Sequence, residues 1–329
     1  MSDPSRDTSR DSLVDGLTRV VGAPVENLAR LSGGASRETW SFSAGGRRLI
    51  LQRQRSGDVR DMGVEANVLR AAHAAGVRVP ELLASGTADS PIGSSFMVLS
   101  HVDGETIARK ILRDDTFARA RQVLVGDLAA ALARLHSIDP SNIAGLPATD
   151  QVAQYRTTLD DLNASLDQAH PTFELAFRWL EANRPESARR SLVHGDFRLG
   201  NVMVGPDGLR AVLDWELAHV GDPMEDLGWL CVRAWRFGSP SPVAGVGSYE
   251  QLISAYERES GLSVDPDVVR WWEVLGTLKW GIMCMIQASS HLLGLARSHE
   301  LAAIGRRVCE NEYDLFLALD GRWEGLGVR

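Results

Sequence analysis

Leu192-Val193 delivers the chain to His194-Gly195-Asp196; Asn201 follows five residues after Asp196, and a turn at Gly205-Pro206-Asp207-Gly208 leads back to Asp214. The pieces on either side of that turn, 202–204 and 209–213, are strand-like, and Pro-Asp-Gly suits a hairpin. Two carboxylates and an amide are thus gathered on loops with strands to hold them. One carboxylate can take the proton of an attacking hydroxyl. A second carboxylate and a neutral oxygen can hold magnesium, a hard cation that prefers oxygen and keeps several waters. Phosphoryl transfer needs such a set, because its transition state is loose and the protein's task is to position reactants and neutralise spreading charge. Asp196 fits the role of base, and Asn201 and Asp214 fit the role of metal ligands. Singly, an Asp or Asn in a glycine-containing loop is a turn former; turn chemistry does not explain the joint order and spacing. His194 reads as a residue that orients the loop by hydrogen bonding rather than one that transfers a proton.

With the hairpin, Asp214-Trp215-Glu216 and Gly221-Asp222-Pro223-Met224-Glu225-Asp226-Leu227, the pattern His-Gly-Asp-x-x-x-x-Asn resembles the catalytic core of aminoglycoside phosphotransferases and choline kinases. The protein-kinase catalytic loop has the same Asp-to-Asn offset. The resemblance runs over residues 28–235. It implies an α+β, protein-kinase-like bilobal fold, with a small antiparallel β-sheet lobe over residues 1–103 and a larger, mainly helical lobe over 104–329. It implies ATP and Mg2+ as cofactors, Asp196 as base, Asn201 and Asp214 on the metal, and Asp226 as a buried brace. Arg198 stands where relatives carry Lys or His, a place from which a cation can stabilise the transferred phosphoryl group. The stretches 51–57 and 214–223 resemble a branch whose kinase-like domains are fused to acyl-CoA dehydrogenases, family members 10 and 11. That branch implies a hydroxyacyl-CoA or another hydroxylated metabolite as acceptor, with an aminoglycoside, choline or homoserine as further choices.

The nucleotide end is read from the preceding hundred residues. Strand signals at 28–31, 39–44 and 48–53 are followed by a helix at 62–75 and extended runs at 81–85 and 95–102. Gly33, Gly34 and Ser36 lie between the first two strands, where small residues let backbone N–H groups approach phosphate oxygens. In the family the third strand carries a lysine paired with a helix glutamate, for which Glu65 is the candidate. No lysine is present on this strand: Gln52 takes its place by alignment, and by charge Arg53 is the residue expected to do its work. Ser100, His101 and Val102 form the segment against which the family's adenine lies.

Beyond residue 104 the texture turns helical, at 117–136, 151–168, 172–183, 249–260, 267–297 and 301–319. Trp271, Trp272 and Trp280 share one of these helices and read as core. The net charge of −8 argues against a protein that grips a nucleic-acid backbone. Residues 1–10 read as a frayed terminus without a signal peptide. The longest uncharged run, 280–296, is too polar to span a bilayer, and three scattered cysteines fit a reducing compartment. The expectation is a cytoplasmic small-molecule kinase with a hydroxyl acceptor and neither nucleic-acid nor membrane partner; oligomeric state is not legible. The competing reading, prompted by the absent strand lysine, is a nucleotide-binding pseudokinase serving as a regulatory module. A protein kinase is disfavoured, since no Asp-Phe-Gly or Ala-Pro-Glu follows.

Overall fold

The alternation of side chains between residues 37 and 54 builds a sheet with one face on a core and the other on a cleft. The computed structural model describes residues 4–31, 37–55, 62–186 and 189–320; Gly33, Gly34 and Ser36 lie outside them. Helix α1 (Pro4–Val21) precedes strands β1 (Val25–Arg30), β2 (Arg37–Ala44) and β3 (Arg47–Gln54), helix α2 (Met62–Ala74), and strands β4 (Leu82–Gly86) and β5 (Phe96–Ser100). The five strands form one antiparallel sheet in the order β1-β2-β3-β5-β4. Phe42, Leu49, Leu51, Phe96 and Val98 pack one face against Leu13 and Leu17 of α1. On the other face Met97 and Leu99 pack against Met62, Ala66, Val68 and Leu69 of α2. The β2–β3 ladder pairs Arg37 with Gln54, Glu38 with Arg53 and Thr39 with Gln52. Because side chains alternate, Arg37, Thr39 and Gln52 share the cleft face while Glu38 and Arg53 share the opposite one.

The chain then passes through helices α3 (Ala108–Arg113), α4 (Ala118–His136), α5 (Gln151–Leu166) and α6 (Pro171–Ala182). Two small ribbons follow, from strands β6 (Ser191–Val193), β7 (Val202–Gly205), β8 (Gly208–Val212) and β9 (His219–Gly221), with β6 pairing β9 and β7 pairing β8. Helices α7 (Met224–Cys231), α8 (Tyr249–Ser260), α9 (Pro266–Leu292), α10 (His299–Gly305) and α11 (Val308–Leu319) complete the chain. Leu124, Leu128, Leu132 and Leu135 of α4 are fully buried, as their spacing predicts, in the core that supports the β6–β9 region. Glu105 exchanges backbone hydrogen bonds of 2.9 and 3.0 Å with Val204, tying the segment after β5 to the β7–β8 hairpin.

Several elements depart from the sequence reading. Helix α1 begins at Pro4, within the stretch read as frayed; proline is at home in a first helical turn. Strand β2 begins at Arg37, two residues early, which brings Arg37 into the sheet. Helix α9 stops at Leu292 instead of 297, where Gly294 adopts φ +76° and ends the run. Helix α3 and strand β9 are too short to leave a periodic trace. Trp271 is buried, and Trp280 packs on Trp235 at 4.8 Å, so both belong to the packed interior as read. Among the described residues no helix is long and apolar enough to cross a membrane.

Candidate active site

Strand β6 is buried along its length and ends at Val193, just before His194, so the following loop starts from a fixed point. Gly195 then takes φ +77°, and a β-carbon there would lie 2.5 Å from the Leu217 carbonyl oxygen; glycine is required on both counts. Asp226 on α7 accepts hydrogen bonds from the backbone N–H groups of His194 (2.8 Å) and Gly195 (2.9 Å), and lies 3.1 Å from His136 Nε2. It is wholly buried. Burial alone would raise its carboxyl, yet His136, His194 and the backbone donors hold it below the usual carboxylate range. It braces the loop, as the resemblance implied.

The partners of His194 fix its tautomer. The Asp196 N–H donates to Nδ1 at 3.2 Å, and Nε2 lies 3.0 Å from the Leu213 carbonyl oxygen, so the proton sits on Nε2. Burial lowers its pKa, keeping the ring neutral. It pins the Asp196 turn to the strand that leads to Asp214, the orienting role read from the sequence.

Asp196 is 8% exposed. Its Oδ2 accepts from Asn201 Nδ2 at 2.5 Å; its Oδ1 accepts from Trp229 Nε1 at 2.8 Å and Arg198 Nε at 3.0 Å. Asn201 Nδ2 also lies 3.1 Å from the Asp196 carbonyl oxygen, so the amide nitrogen is committed to Asp196 and Oδ1 is its acceptor end. The Arg198 guanidinium stacks on Trp235 at 4.6 Å. Beneath the loop, Lys279 of α9 donates to the Gly195 carbonyl oxygen (2.8 Å), reaches Glu225 (3.3 Å) and sits 4.6 Å from the Trp229 ring. Burial alone would lower the Lys279 ammonium; Tyr155 and Glu225 hold it above its ordinary value. Trp229 and Lys279 were not singled out from the sequence: an indole 33 residues past the base and a lysine on a distant helix leave no motif.

The Leu213 N–H donates to the Asn201 carbonyl oxygen at 2.8 Å, bringing Asp214 beside Asn201 on the wall of a cleft of about 440 Å3. Asp214 adopts φ +62°, the left-handed region, which costs a residue with a β-carbon of order 1–3 kcal/mol and is held here by the His194 and Asn201 contacts. Burial, with Glu216 next to it, pushes its carboxyl up to about 7 against the pull of Arg37. Arg37 contacts Glu65 at 2.7 Å and Glu216 at 3.3 Å. Arg37 thus stands among Glu65, Asp214 and Glu216. Among the described residues no three His, Cys, Asp or Glu side chains converge as a metal cage. The Asn201–Asp214 pair is instead a sparse oxygen set suited to a hydrated magnesium that takes its remaining ligands from phosphate and water.

Gln52, Glu65, Ser100, His101 and Val102 all line this cleft, with Ile50, Leu69, Leu99 and Met203 as apolar walls for a flat ring. The His101 N–H is already taken by the Arg48 carbonyl oxygen at 3.1 Å. Arg53 is the exception: it lies on the far face of β3, bound to Glu38 at 2.5 Å, because the alternation that points Gln52 inward turns its neighbour outward. The cation nearest Glu65 is Arg37.

A family model, the phosphotransferase enzyme family, matches residues 27–272. Acyl-CoA dehydrogenase family member 11 of Rattus norvegicus is 30% identical over 268 residues, 75% of this chain and 34% of that protein. The Homo sapiens protein of the same name is 29% identical over 72% of this chain and 33% of its own length. The chain therefore spans about a third of the length of these relatives. Among solved structures, a Ralstonia eutropha protein described as a candidate aminoglycoside phosphotransferase superposes with a TM-score of 0.76 at 20% identity, covering 95% of this chain and 98% of that one. Spectinomycin phosphotransferase, in complex with ADP and spectinomycin, gives 0.68 at 11% identity, with coverages of 94% and 98%. These likenesses establish the protein-kinase-like fold.

Proposed function

The chain belongs to the phosphotransferase enzyme family, and on that premise we propose that it is an ATP-dependent kinase that moves the γ-phosphate onto a hydroxyl of a small-molecule metabolite. The observation that carries this reading is the meeting of Asp196, Asn201 and Asp214. Asn201 spans from the Asp196 carboxylate to the backbone of Leu213, so the three residues belong to one hydrogen-bonded unit, with Asn201 and Asp214 on the cleft wall. Asp196 accepts the proton of the attacking hydroxyl, and three donors hold its carboxylate in place. Arg198, beside it, is placed to meet charge on the transferred group. Asn201 and Asp214 would hold magnesium, which when bound supplies charge neutralisation at the phosphate oxygens. In this reading residues 1–103 form the lobe that covers the nucleotide and residues 104–329 the lobe that presents the acceptor.

A second cavity, of about 1080 Å3, is lined in part by Arg233, Ala234, Arg236 and Phe237, and we take it as a candidate acceptor site. Arg109, Arg233, Arg236 and Arg307 line it against Glu310 and Asp314. Arg233 lies 3.6 Å from Asp314, Arg307 3.1 Å from Glu310 and Arg236 3.0 Å from Glu273, so the wall keeps only a modest positive excess, which suits a phosphate-bearing acceptor better than a polycation. This supports a hydroxyacyl-CoA over an aminoglycoside, in accord with the acyl-CoA dehydrogenase relatives, which carry their matching segment within a longer chain. The test is ADP release in the presence of magnesium and ATP with hydroxyacyl-CoAs, homoserine, choline and aminoglycosides as acceptors, with Asp196→Asn as control. Turnover confined to a hydroxyacyl-CoA fits the proposal. No acceptor-dependent turnover, with tight nucleotide binding, favours the pseudokinase that the neutral Gln52 first raised.

A further inference from the structure

We propose that Arg37, at the head of β2, is the cation that binds the nucleotide phosphates in this chain, replacing a lysine on β3. The inference rests on the kinase reading above and deepens it.

The cleft position on β3 is Gln52, which carries no charge, and Arg53 faces away. Glu65 is nevertheless only 6% exposed and is not left without a counter-ion. Arg37 forks its carboxylate, with Nη1 2.7 Å from Oε1 and Nη2 2.6 Å from Oε2. Arg37 itself is 7% exposed and reaches this point from the strand next to β3, two residues ahead of the Thr39–Gln52 pair in the ladder. Its Nη1 also donates to Gln52 Oε1 at 3.3 Å. Gln52 is therefore matched to Arg37: a neutral acceptor suits a guanidinium neighbour, whereas a lysine in its place would remove that acceptor and set a second cation against the guanidinium. The cation has moved one strand across the sheet, and the residue it displaced has become its hydrogen-bond partner.

The surroundings fit phosphate binding better than a purely structural tie. Arg37 lines the same cleft as Asn201 and Asp214, the residues proposed to hold magnesium. Its two short contacts fix the guanidinium on Glu65, while those to Gln52 and Glu216 are long at 3.3 Å and so are the ones a phosphate oxygen can replace. A planar guanidinium can fork two phosphate oxygens, which a lysine cannot.

The proposal is tested by relocation. Binding of Mg-AMP-PNP is titrated calorimetrically to the full chain, to Arg37→Gln, to Gln52→Lys and to the double variant, with thermal midpoints alongside. The expected result is a loss of about 10- to 100-fold in affinity for Arg37→Gln, the size of one charge-assisted contact. The double variant, with its lysine back on β3 facing Glu65, recovers about tenfold or more, and Gln52→Lys alone gains nothing. Affinity within twofold of the parent in Arg37→Gln overturns the proposal, as does a double variant that regains its thermal midpoint but not its affinity. Arg37→Lys keeps one cation on Glu65 should the glutamine variant not fold; several-fold weaker binding at an unchanged midpoint supports the proposal, and unchanged affinity overturns it. Failure of the parent chain to bind the nucleotide overturns this proposal and the kinase reading together, whereas tight parental binding with an indifferent Arg37→Gln overturns this proposal alone.

Discussion

Replacing Trp229 by phenylalanine separates the chemistry of the catalytic loop from its packing. The indole is 1% exposed, and its Nε1–H donates to Asp196 Oδ1 at 2.8 Å. The same ring packs on Trp235 at 5.3 Å and lies 4.6 Å from the Lys279 ammonium. Phenylalanine keeps an aromatic face in the pocket but removes the donor and one ring. A hydrogen bond to a charged acceptor contributes about 1.5–3 kcal/mol. At about 1.4 kcal/mol per decade of rate, full loss of that restraint on the base corresponds to a fall in kcat of about 10- to 150-fold. The lost volume and weaker cation–π contact destabilise the fold by about 1–3 kcal/mol. Trp229 does not line the nucleotide cleft, so KM for ATP should stay within about twofold. The assay is steady-state ADP release with ATP and acceptor each varied, beside a thermal melt. Trp280→Phe serves as control: its ring stacks on Trp235 at 4.8 Å, and its Nε1 has no hydrogen-bond partner among the described residues. It should cost stability without lowering kcat. A folded Trp229→Phe enzyme with kcat within twofold of the parent, or with KM for ATP rising in step, would refute the assignment of Trp229 as the residue that positions the base.

Asp196→Asn should lower kcat by about 100- to 10,000-fold, the usual contribution of a general base, while calorimetric affinity for Mg-AMP-PNP changes little; a comparable loss of affinity would place Asp196 on the nucleotide instead. With its pKa pushed up to about 7, Asp214 binds its proton more tightly folded than unfolded, so the stability it contributes is full below about pH 4 and is lost as pH rises through 7. Magnesium needs the ionised form, so the rise in thermal midpoint on adding magnesium should grow from pH 6 to pH 8 and vanish in Asp214→Asn; a pH-independent rise would exclude Asp214 as ligand. Asp226→Asn sets an amide N–H either where the Gly195 N–H or where the His194 N–H and His136 now meet an acceptor. Its cost of about 2–4 kcal/mol should lower the thermal midpoint by about 5–10 °C and reduce kcat with it; a midpoint within 1 °C would show that the loop does not depend on this brace.

The chemistry-bearing residues were legible in the sequence because they are local. Asp196, Asn201 and Asp214 lie within nineteen residues on one loop and one hairpin, so their spacing and turn chemistry alone bring them together. The protein-kinase-like fold was implied by the family resemblance of that motif, and the succession of short alternating strands and longer apolar-striped helices, two periods read without knowledge of any partner, agrees with it. The cation of the nucleotide cleft was not legible. Charge along a strand does not say which face a side chain takes until the register is set, and the β2–β3 ladder turns Arg53 to Glu38 while bringing Arg37, from the neighbouring strand, onto Glu65. The Trp229 donor and the Lys279 support were hidden for a related reason. Each reaches the loop from a separate helix, and only the packing of α7 against α9 brings both to the residues 195 and 196 that they hold. Contacts set by nearby turns can be read from the order of residues; contacts set by which faces of distant elements are buried together belong to the tertiary structure alone.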